Sequence, residues 1–303
     1  MRKDILPIVV FFSILSFAFV SNAQVQATLV EPNQNGVIPT CGHDRMNEKH
    51  SHENPEFAEQ LKYYKEVVVP HLASIDSDAE NGNLLVIPTV VHIIHEGEPI
   101  GQGQNLETAQ ILAQIDILNQ DFAALNPEYN NTPNQWTGIL GTPNIQFCLA
   151  AVDPDGNSTD GINRVQFTIT GSSWTNNNIE SELKPMINWD PDHYLNIYVL
   201  PIPGTTAQGG VVGYSGGPTP FEIGSDGDGP VVDYRWFGAP GFSQSGYRAI
   251  THEVGHYLGL PHPFDGESCN SDDGISDTPN VSEPTLNLAN LDCTNTYPMG
   301  PET

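Results

Sequence analysis

The chain has 303 residues, with 10 lysines and arginines against 37 aspartates and glutamates, a formal net charge of −27. A field of that sign repels phosphate backbones and anionic lipid, which argues against nucleic acid and membrane as partners; it is compatible with metal cations and basic peptide substrates, although plain solubility in an extracellular medium accounts for it more simply. Beyond residue 83 the only basic side chains are Arg164, Lys184, Arg235 and Arg248, so the imbalance belongs to the body of the chain.

Arg2 and Lys3 precede an apolar run from Ile5 to Val20, and Ser21-Asn22-Ala23 closes it. That is the pattern of a secretory signal peptide over residues 1–23, too short and too interrupted by Pro7 and serines for a membrane anchor. A secreted, extracellular product is expected. Residues 24–83 read as a polar, helix-prone propeptide, with Asn54-Pro55 opening a helix over Glu56–Val69 and an exposed linker near residues 76–82. Within it Cys41 stands beside Gly42, His43 and Asp44. A thiolate there is either a strong zinc ligand or a disulfide partner for Cys148 or another chain. His43 and Asp44 read equally well as auxiliary groups or as a surface turn.

A catalytic domain is expected over residues 84–303. The β-branched stretch 84–94 predicts a strand, and Ile111, Ile115, Leu118, Phe122 and Leu125 form a helical stripe over residues 106–125. Further strands are predicted over 145–151, where Cys148 reads as a small buried thiol, and over 194–200. His92 and His95 would face opposite sides of their strand and make poor joint ligands. The Asp153-Pro154-Asp155-Gly156-Asn157 segment reads as a turn, because Arg164 stands where an EF-hand needs its bidentate glutamate. The glycine-rich 204–217 stretch suggests a loop and sheet edge. A helix follows over 245–258, then irregular chain. Cys269 and Cys293 flank an acidic segment, and in an exported chain a disulfide between them would staple a loop with little apolar material. Pattern alone gives an α+β fold.

The residues 252–262 read H-E-x-x-H-x-x-G-x-x-H. At 3.6 residues per turn, His252 and His256 project from one helix face and can reach one ion. Gly259 permits the positive φ that turns the chain so that His262 supplies a third imidazole. Three neutral imidazoles leave a fourth position of Zn²⁺ open, as in catalytic zinc sites. Glu253 stands where it can take a proton from a water at that position.

This motif is that of the metzincins, and its surroundings resemble the pappalysin branch in its ulilysin-like or cytophagalysin form. The likeness rests on Tyr247-Arg248-Ala249-Ile250-Thr251, on Asp233 to Gly238, on Cys269 with Asp272 to Pro279, and on the segments 87–93 and 144–149. It implies a twisted mixed sheet with two long helices and a smaller irregular C-terminal subdomain. It also implies a secreted zinc-dependent endopeptidase precursor, a monomer acting on protein or peptide substrates. By the same resemblance Cys41 acts as a cysteine switch that holds the zymogen's zinc, and Asp273, Asp277 and Thr278 bind calcium. One departure is plain: the family's Asn-x-Met-Asp-Tyr turn has no counterpart, since Tyr297-Pro298-Met299-Gly300-Pro301 lacks the Asp-Tyr pair. The chain therefore reads as stopping short of that turn. The alternative is a catalytically inactive extracellular binding module stabilised by calcium and zinc, against which the intact Glu253 speaks.

Overall fold

The computed structural model describes residues 39–68, 84–132, 137–138, 140–167, 175–205, 210–216, 224–241, 248–264, 273–275 and 278. The expected signal peptide, the linker, Cys269, Asp277 and Cys293 lie outside the described residues, as does nearly all of the expected C-terminal subdomain.

One sheet organises the molecule. Its strands are β1 (Pro39–Cys41), β2 (Leu85–His95), β3 (Ile145–Leu149), β4 (Ile162–Gln166), β5 (Leu195–Leu200), β6 (Gly210–Tyr214) and β7 (Val231–Asp233). The order is β1-β6-β7-β5-β2-β3, with β4 also on β2. At 11 residues β2 is long enough, about 35 Å, to carry two short strands end to end on one side. β3 pairs with its first half, Leu85–Thr89, and β4 with its second, Val91–His95. All pairings are parallel except β6 with β7, so the sheet is mixed, as expected.

The strands at the centre are apolar on both faces because both faces are covered. All six residues of β5 are buried. On one face Val91, Ile93, Leu195, Ile197 and Val199 meet the stripe Ile111, Ile115 and Leu118 of helix α3 (Thr108–Phe122), along with Ile250 and Val254 of helix α4 (Ala249–Tyr257). On the other, Ile94, Tyr198, Leu200, Tyr214 and Val231 meet Ile179 and Leu183 and, from the N-terminal segment, Met46. Each fully buried aliphatic side chain contributes roughly 1.5–3 kcal/mol.

Two expectations are corrected. The α3 stripe stops short of Leu125: the helix ends at Phe122, Ala124 takes a positive φ of 53°, and Leu125 points outward at 73% exposure. The helix expected from Asn54-Pro55 is present as α2 (Pro55–Tyr63) followed by a π-helical turn over Tyr64–Val68, and a further helix, α1 (His43–Glu53), which the sequence did not indicate, precedes it. Asn54 separates them, its side chain accepting from the Glu56 and Phe57 amides at 3.0 and 3.4 Å, a cap worth about 1 kcal/mol. Finally, His43 and Asp44 are not a surface turn: they form the first turn of α1, and His43 is buried. The Asp153 segment is the turn expected, its carboxylate accepting from the Asp155 and Asn157 amides. No helix among the described residues is long and apolar enough to cross a membrane.

Candidate active site

Helix α4 is held by its neighbour α3 through polar side chains. Asp121 of α3, nearly buried, accepts from Arg248 Nε at 2.9 Å and from Thr251 Oγ1 at 2.8 Å, fastening the N-terminal turn of α4. Gln110 donates to the Phe237 carbonyl at 2.6 Å and Gln114 accepts from the Gly238 amide at 2.7 Å, so the approach to α4 is tied to the same helix. With Ile250 and Val254 committed to the core, the opposite side of α4 presents His252, Glu253 and His256.

The chain leaves α4 at Gly259, whose φ of 101° is open to glycine and strained for any side chain. The reversal brings His262 back to the helical pair. The three Nε2 atoms converge, 2.9 Å between His252 and His256, 3.0 Å between His256 and His262, and 3.2 Å between His252 and His262. Nitrogens about 2.0–2.1 Å from one tetrahedral zinc would stand about 3.3–3.4 Å apart, so the donor set fits the ion with a shift of a few tenths of an ångström. The outer nitrogens fix the tautomers: His256 Nδ1 donates to the Leu260 carbonyl at 2.6 Å and His262 Nδ1 to Asp44 at 2.7 Å, leaving each Nε2 lone pair facing inward. Burial pushes His252 down to about 4 and His256 far below its ordinary value, which keeps both neutral and able to ligate.

Glu253 is buried under strand β6, at 1% exposure. A Cβ at Gly213 would lie 2.8 Å from its carboxylate, so the bare backbone there makes the room Glu253 occupies. Burial drives the Glu253 carboxyl up to about 8, with a hydrogen bond from Cys41 pulling down and the charge of Asp44 pushing up. Cys41 arrives on β1, which lies parallel along the outer edge of β6. Its Sγ donates to Glu253 Oε2 at 3.4 Å and accepts from the His43 amide at 3.3 Å. Cys41 Sγ and the ligand nitrogens of His252, His256 and His262 all lie within 4.8 Å of one another. Burial and the charge of Glu253 push the thiol well above its ordinary range. Cys41 and Cys148 are both free thiols, so the Cys41–Cys148 disulfide is not formed, and Cys148 is half-buried in β3.

The N-terminal segment touches the motif at three further places. The His43 ring stacks on His256 at 4.0 Å between centroids, its Nδ1 donating to the Ser215 carbonyl at 2.7 Å while Asn47 donates to its Nε2. Asp44 meets His262, and Tyr64 donates to the Gly259 carbonyl at 3.0 Å. The sequence singled out the motif residues and Cys41, and the structure brings them together. It missed Gly213, Asp121 and Tyr64, and left His43 and Asp44 undecided. Proximity of Asp44 to His262, 218 residues apart, has no local signal. His92 and His95 stay apart from the site, His92 being buried between Asn163 and Asn196. Of the expected calcium ligands, Asp273 turns its carboxylate onto the Ile275 amide and the Thr278 amide donates to the Ile275 carbonyl.

A mixed sheet backed by two helices, with two imidazoles and a glutamate on the second helix and a third imidazole returned to them by the turn that follows, defines a metzincin-type zinc metallopeptidase. The family model described as pregnancy-associated plasma protein-A, peptidase family M43, matches residues 173–299. Promirolysin of Tannerella forsythia, in a mutant form, is similar at 32% identity over 86% of this chain and 83% of that one, with a TM-score of 0.65. Mature mirolysin in complex with a cleaved peptide is similar at 34% identity over 72% of this chain and 81% of that one, with a TM-score of 0.59. An extracellular metalloprotease of Colletotrichum graminicola is 29% identical over 238 residues, 76% of this chain and 69% of its own length. The chain belongs to the pappalysin family of zinc-dependent metalloendopeptidases.

Proposed function

We propose that the chain is the latent precursor of a secreted endopeptidase in which His252, His256 and His262 hold the catalytic zinc, Glu253 moves the proton and Cys41 blocks the site. The observation that carries this reading is the convergence of three Nε2 atoms and the Cys41 Sγ beside a buried carboxylate. A bound zinc supplies Lewis-acid polarisation of the scissile carbonyl and of the attacking water. Glu253 takes the proton of that water and delivers it to the departing amine. Its burial keeps bulk water from competing for the transfer. The outer edge of β6, which β1 covers here, would align an extended peptide by main-chain hydrogen bonds once β1 is removed.

Residues 1–23 are proposed as signal peptide, 24–83 as proregion and 84–303 as catalytic domain. Latency then follows from β1, α1 and α2 lying over the site, with Cys41 in the position a water needs. Calcium at Asp273, Asp277 and Thr278 and a Cys269–Cys293 disulfide rest on the family likeness and on the sequence. Calcium-dependent thermal stabilisation and mass spectrometry of unreduced peptides test them.

Peptide hydrolysis after proregion removal, with zinc quantified, tests the central reading. Glu253→Ala should retain zinc and lose activity by at least a hundredfold. An active Glu253→Ala enzyme would refute the assigned role. The binding-module reading gains support only if the processed chain holds zinc and cleaves nothing.

A further inference from the structure

The contact between Asp44 and His262 does more than seat the proregion. A zinc-ligating histidine ordinarily donates its second N–H to a carboxylate or carbonyl, which fixes the ring and raises its basicity. For His256 that partner is the Leu260 carbonyl, inside the motif itself. For His262 it is Asp44, on α1, at 2.7 Å. His262 is the ligand most in need of such support, because it stands on non-helical chain past Gly259 and not on α4. The proregion grips the same turn a second time, through Tyr64 on the Gly259 carbonyl at 3.0 Å. The Asp44 carboxylate is half exposed and makes its short contact to a His262 ring that is only 5% exposed.

We propose that Asp44 is a positioning residue for the third zinc ligand, lent to the metal site by the proregion, so that the precursor holds zinc more tightly than the processed enzyme for a reason separate from the Cys41 thiolate. This rests on the zinc reading given above. Removal of the proregion would then take away two supports at once, the thiolate and the carboxylate behind His262. The occupant implied is the zinc ion itself, and the new element is the origin of its outer partner.

The full-length precursor tests this by zinc transfer to a chromophoric chelator, comparing wild type, Asp44→Asn, Cys41→Ser and the double variant. Asp44→Asn should weaken zinc retention tenfold to a hundredfold, and should weaken it again in the Cys41→Ser background, where no thiolate remains. Cobalt-substituted protein separates positioning from mere loosening of α1. The thiolate-to-cobalt charge-transfer band should persist in Asp44→Asn, because Cys41 remains seated. Wild-type zinc retention in Asp44→Asn would overturn the proposal, and so would loss of the thiolate band together with zinc, which would mean that Asp44 only docks the helix. Failure of the underlying zinc assignment would look different: the wild-type precursor would take up no stoichiometric zinc, or His256→Ala would keep it.

Discussion

Gly213 shows how one missing side chain shapes the chemistry. A methyl group there would press on the Glu253 carboxylate from 2.8 Å, with buried structure behind it. Gly213→Ala should therefore leave zinc content unchanged while lowering kcat about a hundredfold, the cost of displacing a proton-transfer group by a fraction of an ångström to an ångström. Steady-state kinetics with metal analysis of the processed enzyme checks it, and an unchanged kcat would show that β6 yields. Cys41→Ala acts in the opposite sense: the unprocessed chain should take up substrate at the metal wherever β1 frays, and hydrolysis by precursor that stays intact on a gel is the readout. At this scale the motif was legible because its ligands lie within eleven residues and their spacing is dictated by one helix and one turn. Gly213, His43 and Asp44 were not, since each acquires its role from chain some forty to more than two hundred residues away.

Among the elements, α3 acts as the mount for α4. Asp121 accepts two hydrogen bonds from the first turn of the motif helix, one of them charged on both sides. Asp121→Ala should cost about 2 kcal/mol of stability, discounted for the partial exposure of Arg248, and should lower the urea midpoint of the zinc-free protein. If the midpoint holds, packing of Ile250 and Val254 alone positions α4. β2, β5 and α3 were legible from their periodicity, since buried strands and an i, i+4 stripe have few alternative readings. Helix α1 was not. Its sequence, HDRMNEKHSHE, carries one large apolar residue, Met46, and no stripe. It is stabilised by what it docks against, which no local pattern reports. The C-terminal end of α3 was misjudged for a related reason: the positive φ at Ala124 that follows it is decided by neighbours, whereas the cap at Asn54-Pro55 is a local signal and was legible.

For the molecule as a whole, the buried His92 couples the sheet to pH. It donates from Nε2 to Asn196, accepts at Nδ1 from Asn163 and stacks on Tyr198. Burial lowers it to about 4, partly opposed by the Asn196 hydrogen bond. The unfolded chain takes up this proton near 6.5 and the folded one refuses it until about 4, so the contribution to stability is intact above 6.5 and lost as pH falls through that interval. The loss amounts to about 3 kcal/mol. Urea midpoints at pH 7.5 and 4.5 should fall less for His92→Gln than for wild type, and an equal fall would remove His92 as the cause.

The parallel seating of β1 along β6 has a consequence for how such a molecule survives before use. A bare sheet edge invites any extended chain, including a second copy of the same protein, and nothing in its hydrogen-bonding groups distinguishes prey from sibling. The three residues Pro39–Cys41 occupy that edge with the protein's own backbone. With β1 in place the backbone groups of that edge are already satisfied, so another extended polypeptide can pair with β6 there only by displacing the chain's own strand.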